Sequence, residues 1–289
     1  MVVEADCAFS VIVPTKDRPD YLKRCLRSLA SQSMQPIEII VIDDSESTSQ
    51  IQSDIHGSAE IKILHSCQQM KVGEKRNLGA MLAKGEFLVF VDDDNELSPT
   101  CIVNLLAHVS KSSCAVATRY EPSNTGEPTP AWGWILASPR IQAIFEFIAA
   151  IKDLYNGKAV VRVGHPPNLF AVRKSDFLGV GGYDSAFSKY LEDVVLGWKF
   201  ARADIECIAV ADAVTFHTPR GGNAFHYEPE TWVARGRATR LMVSAPLIPF
   251  SLTFSIGLAL IAASFGSKGF RFHHFASELH SLIKGLLRS

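Results

Sequence analysis

The stretch Phe87-Leu88-Val89-Phe90-Val91-Asp92-Asp93-Asp94-Asn95 decides the reading of this chain, because an apolar run of strand length passes without a break into three carboxylates. A segment apolar at every position belongs to a strand buried on both faces, as in a sheet with helices on either side. Alternate residues of an extended segment share a face, which puts Asp92 and Asp94 together and turns Asp93 away, as a cap for the loop that follows. Carboxylates grouped this closely raise each other's pKa unless a cation compensates them. A hard divalent ion that also takes phosphate oxygens suits Asp92 and Asp94.

Outward from this run the same pattern repeats. Phe9 to Val13 is a strand closed by Pro14 and Thr15, followed by Tyr21, Leu22, Cys25, Leu26 and Leu29 at helical spacing. Ile37 to Ile42 is a second strand ending in Asp43-Asp44-Ser45, Ile61 to Leu64 a third, and Gly73 to Leu82 a helix with Glu74, Lys75 and Arg76 in its first turn. Pro99 opens the next helix, where a missing N–H is harmless, and Cys114 to Thr118 is a strand. The segment from Glu121 to Pro130, with three prolines, breaks the alternation and marks an internal boundary. Beyond it, Ile141 to Ile151 reads as a helix and Leu169 to Val172 as a strand. Gly179 to Gly182 is a turn, Glu192 to Arg202 a helix, and Ile205 to Val210 and Val214 to Phe216 the last strands. Strands alternating with helices indicate an α/β domain on a mostly parallel, Rossmann-like sheet, divided into residues 1–120 and 121–225 and followed by a distinct region, 226–289.

Charge and composition exclude several classes. In 289 residues, 29 basic side chains face 30 acidic ones for a net charge of −1, which is no signature of a nucleic-acid binder. At 47% hydrophobic and 20% charged the chain is not disordered. Six cysteines without a C-x-x-C pair read as reduced packing residues. The start, Met-Val-Val-Glu-Ala-Asp-Cys, lacks the basic and apolar regions of a secretion signal, so the expected location is the cytoplasm or its face of a membrane. The positive mean hydropathy, +0.11, has one main source. No charge falls between Arg240 and Lys268, and Leu247 to Phe265 is long enough to cross ~30 Å of hydrocarbon. Arg220, Arg235, Arg237 and Arg240 precede the apolar stretch Leu241–Ser267, and Lys268, Arg271, Lys284 and Arg288 follow it. That balance fits a single span and an interfacial hairpin equally.

Ligands of open parallel sheets bind beyond the C-terminal ends of the strands. Three strands here end at that edge in Pro14-Thr15, Asp43-Asp44 and Asp92-Asp93-Asp94. Each has a plain alternative: Asp-Asp is common turn chemistry, Arg76 suits an exposed helix face, and Asp193 suits a helix start, where the macrodipole favours a carboxylate. No Gly-rich phosphate loop and no G-x-G-x-x-G follows the first strand, which excludes a sugar-phosphate nucleotidyltransferase and a dinucleotide dehydrogenase.

Taken in order, Ser10-Val11-Ile12-Val13-Pro14-Thr15, Ile40-Val41-Ile42-Asp43-Asp44-Ser45, Lys75-Arg76-Asn77-Leu78-Gly79, Phe90-Val91-Asp92-Asp93-Asp94, Gly181-Gly182-Tyr183-Asp184 and Glu192-Asp193 resemble the motifs of the family 2 glycosyltransferases with the GT-A fold. The resemblance runs from Phe9 to Phe216. It implies that 1–120 binds a nucleotide sugar, that 121–225 binds the acceptor and carries the catalytic base, and that 226–289 is a membrane-associated region. It assigns Asp44 to the nucleobase, and a carboxylate paired with the N3–H of uracil or thymine favours a UDP- or dTDP-sugar. Pro14, the Thr15 backbone and Arg76 would flank the nucleotide. Asp94 would bind Mg²⁺ or Mn²⁺ directly, Asp92 the ribose or a metal-bound water, and His217 would be a further ligand.

By the same resemblance Asp193 is the base of an inverting transfer, with Glu192 beside it toward the acceptor. Trp132, Trp134 and His165 would line an acceptor groove, unless the two tryptophans anchor at a membrane surface. Processive members carry Gln-x-x-Arg-Trp; here Arg235-Gly236-Arg237-Ala238-Thr239-Arg240 is followed by no Trp, which implies one sugar per encounter. The implied partners are a nucleotide-sugar donor and a glycan or lipid-linked acceptor of cell-envelope polysaccharide synthesis. The alternative is a catalytically silent, membrane-attached protein that binds sugar nucleotides or glycans.

Overall fold

Strand β1 (Phe9–Thr15) is buried at every position, as its unbroken apolar run requires of a strand covered on both sides. The computed structural model describes residues 8–46, 59–109, 113–121, 129–130, 160–163, 166, 169–187 and 191–217. Trp132, Trp134, His165, the expected helix over 141–151 and the apolar stretch 241–267 lie outside these residues. Among the described residues no helix is long and apolar enough to cross a membrane.

On one side β1 pairs with β2 (Glu38–Asp43), and β2 with β3 (Glu60–His65); on the other β1 pairs with β4 (Phe87–Phe90), all parallel. Helix α1 (Pro19–Ala30) buries Leu22, Cys25, Leu26 and Leu29 against Val11, Val13, Val41 and Val89 on one face of the sheet. Helix α2 (Val72–Leu82) lies over the other face, with Ala80 in the cluster of Ile12, Ile40, Leu88 and Phe90. Alternate strand residues thus feed two cores.

Beyond β4 the sheet departs from the mostly parallel expectation. Described residues give the strand order β3-β2-β1-β4-β9-β6-β10-β5, with β7 added to β6 and β8 to β10. Here β5 is Asn95–Leu97, β6 Ser113–Glu121, β7 Thr129–Pro130, β8 Val160–Val163, β9 Phe170–Arg173 and β10 Glu206–His217. Strand β9 is antiparallel to both β4 and β6, while β6 and β10 are parallel, so the sheet is mixed. Burial on both faces produces the same apolar run in either direction, which is why composition could not reveal the reversal. The last two expected strands are one, β10, whose register with β6 shifts between Val210 and Val214.

Helix α3 (Cys101–Leu106) has Thr100 as its N-cap, so Pro99 precedes the helix instead of opening it. Helix α4 (Lys174–Gly179) occupies a stretch too short for a periodic signal, and α5 (Glu192–Arg202) has the expected bounds. Phe90 stacks on Phe170 at 4.8 Å between centroids, with Phe177 at 4.9 Å and Tyr183 edge-on at 6.1 Å, which locks β4, β9 and α4 together.

Pro14 sits inside β1, yet no ladder bond is lost. The Ile12 carbonyl accepts the Val91 N–H at 3.0 Å, and Pro14, two residues on, faces the same side at a level where β4 has ended. Two glycines give opposite expectations for stability. At Gly85 a Cβ would fall 2.5 Å from the Ser10 nitrogen and 2.6 Å from the Phe9 carbonyl carbon, both backbone; at Gly179 it would meet nothing within 4 Å. Gly85→Ala is expected to lower stability by about 1–3 kcal/mol, and Gly179→Ala to leave it level or slightly raised. The shift in denaturant midpoint of each variant checks this.

Candidate active site

The site lies where the C-terminal ends of β1, β2 and β4 meet the start of α2 and the first turn of α5. The loop after β1 turns at Asp17, whose φ of 52° is a left-handed conformation that Asp tolerates. The Asp17 N–H donates to Ser45 Oγ at 2.6 Å, and the Ser45 N–H donates to Asp43 Oδ1 at 2.9 Å, tying the loop after β1 to that after β2. Lys75 Nζ donates to the Thr15 carbonyl at 2.7 Å and pairs with Asp44, whose other oxygen accepts the Met70 N–H at 2.7 Å. Burial alone would raise the Asp44 carboxyl, but the Lys75 and Met70 contacts hold it below the usual carboxylate range.

After β4 the chain turns instead of continuing extended: the Asn95 N–H donates to the Asp92 carbonyl at 3.1 Å. This corrects the expectation built on strand alternation. Asp93 is no outward loop cap; only 4% exposed, it accepts from Thr15 Oγ1 at 2.7 Å and Arg18 Nη1 at 2.9 Å. Burial pushes its carboxyl up, against the Thr15 and Arg18 contacts, and the neighbouring Asp94 and Asp92 add to the rise. Asp92 accepts from Arg76 Nη2 at 2.5 Å. Asp94 lies 3.3 Å from Arg18 Nη1 and 3.5 Å from Nε2 of His217, at the end of β10.

Arg76 is 3% exposed and far from the surface cation that its helix position suggests. Besides Asp92 it approaches Glu192 Oε1 at 3.8 Å, and its guanidinium lies over the Tyr183 ring, 5.1 Å from the centroid. Glu192 and Asp193 open α5 after Leu191, which turns the chain at a φ of 65°. Burial, and then the adjacent Asp193, push the Glu192 carboxyl up to about 7 although Arg76 opposes the shift. Asp193 Oδ1 accepts the Val194 N–H at 2.8 Å.

A cavity of about 560 Å³ is lined by Pro14, Thr15, Arg76, Asp92, Asp94 and Glu192 among the expected residues. Asp44 is enclosed behind Lys75, and neither Asp193 nor His217 borders the cavity itself. Arg18, Lys75 and Asp93 line it too and were not anticipated, since charged residues in polar stretches look like exposed ones.

Among the described residues no three ligating side chains stand together as a metal-holding group. The donor chemistry nevertheless fits a hard divalent ion: carboxylates of Asp92 and Asp94 border the cavity, and the His217 imidazole stands against Asp94.

The sequence model of Glycosyl transferase family 2 matches residues 10–164, more than half of the chain. An uncharacterized glycosyltransferase of Haemophilus influenzae is 24% identical over 184 residues, 64% of this chain and 58% of that protein. The GalNAc(5)-diNAcBac-PP-undecaprenol beta-1,3-glucosyltransferase of Campylobacter jejuni is 36% identical over 102 residues, 34% of this chain and 33% of its own. Both alignments therefore span less than two thirds of these curated relatives. The crystal structure of GalNAc-T7 with UDP, GalNAc and Mn²⁺ matches with a TM-score of 0.63 at 19% identity, covering 82% of this chain and 48% of that one. That likeness is one of fold, the α/β GT-A arrangement of a mixed sheet with flanking helices.

The partly buried Glu192 makes a pH prediction. A carboxyl raised from 4.5 to about 7 in the fold contributes stability below 4.5 that is lost as pH rises through about 7. Glu192→Gln, which cannot ionise, is expected to lose less melting temperature than the parent across that window. Parallel melting curves of the two proteins at several pH values check it.

Proposed function

The chain belongs to glycosyl transferase family 2, and we propose that it moves one sugar from a UDP- or dTDP-sugar to a glycan or lipid-linked acceptor, inverting the anomeric centre with the help of a divalent cation. The observation that carries this reading is the cavity at the strand ends, where Thr15, Arg76, Asp92, Asp94 and Glu192 converge. The relatives support its parts. GalNAc-T7 was crystallised with UDP and Mn²⁺, and the Campylobacter jejuni enzyme is named for an undecaprenol-linked acceptor.

In this reading the nucleotide lies along the ends of β1 and β2. Thr15 and Arg76 flank it, and Asp44, held by Lys75 and Met70, takes the imide N–H of the base once Lys75 swings aside to open it to the cavity. Asp92, Asp94 and His217 would hold a Mg²⁺ or Mn²⁺, which would supply positive charge to the departing diphosphate. Asp193 removes the proton of the acceptor hydroxyl as its oxygen bonds to C1. The C1–O bond to the diphosphate breaks, the electron pair leaves with the nucleoside diphosphate, and Asp193 keeps the proton. Glu192, 13% exposed in its side chain, faces the acceptor end. Residues 1–120 form the donor half and 121–225 the acceptor half, in which Trp132 and Trp134 border the acceptor; 226–289 keeps the enzyme at the cytoplasmic face of a membrane, beside a lipid-linked acceptor of cell-envelope polysaccharide synthesis.

Two substitutions separate the roles. Asp94→Ala and Asp193→Asn are each expected to lower turnover by about 100-fold or more, whereas only Asp94→Ala weakens metal-dependent nucleotide binding. Release of free nucleotide from a panel of nucleotide sugars with Mn²⁺ identifies the donor and measures both variants. Full turnover in Asp193→Asn would move the base elsewhere.

A further inference from the structure

We propose that Arg76 is a positioning residue that couples the donor-side carboxylate Asp92 to the base-bearing helix α5 through Glu192, a role that rests on the transferase reading above. A buried guanidinium is tolerated only with partners, and Arg76 has them on two sides: Asp92 at 2.5 Å, from the turn after β4, and Glu192 at 3.8 Å, on the first turn of α5. Its Nε is buried with no hydrogen-bond partner, so the group is held by the Tyr183 ring beneath it and by the two carboxylates rather than by a saturated hydrogen-bond set.

That ring is itself fixed from both helices. Asn77 of α2 donates to the Tyr183 carbonyl and accepts its N–H, both at 2.9 Å. Lys199 of α5 donates to the Gly182 carbonyl at 2.8 Å. Gly73 lets Tyr183 come close to α2, since a Cβ there would stand 3.0 Å from that of Tyr183. Helix α2, the Gly182-Tyr183 turn and α5 therefore form one block with Arg76 at its centre. The donor-side and acceptor-side carboxylates are set relative to each other by a single planar cation.

The fork matters as well as the charge. A lysine carries the charge on a point-like ammonium and cannot reach in two directions from a rigid plane. Arg76→Lys therefore keeps the local net charge and loses the simultaneous contact. Among the described residues, the charged and titratable groups facing Glu192 are Arg76 on α2, Asp92 after β4, Tyr183 in its turn and the adjacent Asp193. Moving the cation away from Glu192 leaves its charge less compensated beside Asp193, so the Glu192 proton comes off at higher pH.

The test is a kinetic double-mutant cycle of Arg76→Lys and Glu192→Gln, with Mn²⁺ and the best nucleotide-sugar donor, over a pH series. Arg76→Lys is expected to lower kcat by up to about 100-fold, as misplaced catalytic groups do. Donor KM should change less than kcat, and the ascending limb of the pH–kcat profile should move to higher pH. The effect should largely disappear in the Glu192→Gln background. Asn77→Ala, which frees Tyr183 without removing a charge, provides a second reading if Arg76→Lys does not fold: a smaller loss in kcat at unchanged donor KM. Additive effects of Arg76→Lys and Glu192→Gln, or a loss confined to donor KM, or wild-type kcat in Asn77→Ala, overturn the coupling while leaving the transferase reading intact. No turnover by the parent protein with any nucleotide sugar overturns both.

Discussion

Between β1 and β4 the parallel ladder stops at Ile12 and Phe90, with one last bond from the Val91 N–H to the Ile12 carbonyl, and the candidate site stands in the gap beyond. Pro14 makes the gap permissible on one side, because it has no N–H to leave unpaired. On the other side the chain turns at Asp92, and three successive carboxylates enter a space that the sheet no longer fills. Such a concentration of negative charge would not persist unaided at low exposure. Thr15 and Arg18 answer Asp93, Arg18 and His217 approach Asp94, and Arg76 answers Asp92. The backbone break and the counter-charges are one device, and each would be unfavourable without the other.

Helix α2 supplies much of that compensation in an unusual way. Its buried face carries Gly73, Lys75, Arg76, Gly79 and Ala80, with few large apolar side chains. Small residues let the helix approach the sheet, where a Cβ on Gly79 would come within 2.5 Å of Ile12 Cγ2. The two long cations then reach past the small residues in different directions. Lys75 closes on Asp44 and the end of β1, and Arg76 on Asp92 and α5. The helix is therefore held as much by directional polar contacts as by hydrophobic burial, which suits an element that must fix carboxylates from three separate strands and helices.

Much of this was legible from sequence, and the failures share a cause. The apolar strand runs, the polar residues at their ends, the helix over Glu192–Arg202 and the ordered motif blocks all follow from local pattern, and local pattern survives folding. What did not survive was any inference that needed the third dimension. Asp93 was turned outward because alternation was assumed to continue past β4, whereas the chain bends within one residue of Val91. Arg76 could be placed at the nucleotide only through the resemblance, and Lys75 carried no signal of its own, because their compensating carboxylates are distant in sequence. The reversed direction of β9 left no trace in composition, since a strand enclosed on both faces looks alike from either end. Arg18 lay in a short polar stretch whose only informative property is what it touches.

The position of β9 also bears on how such a chain can be altered. Residues 170–173 are inserted between β4 and β6, so a strand from late in the sequence is stitched on both edges to strands from the early part. The sheet has no seam at the proline-rich segment: β6 runs to Glu121, across the boundary that composition suggests. An exchange of sequence made at that boundary would cut the ladders of β9 with β4 and β6 and those of β10 with β5 and β6, and would separate Phe170 from its stacking partner Phe90. The stretches on either side of that boundary are therefore not interchangeable parts.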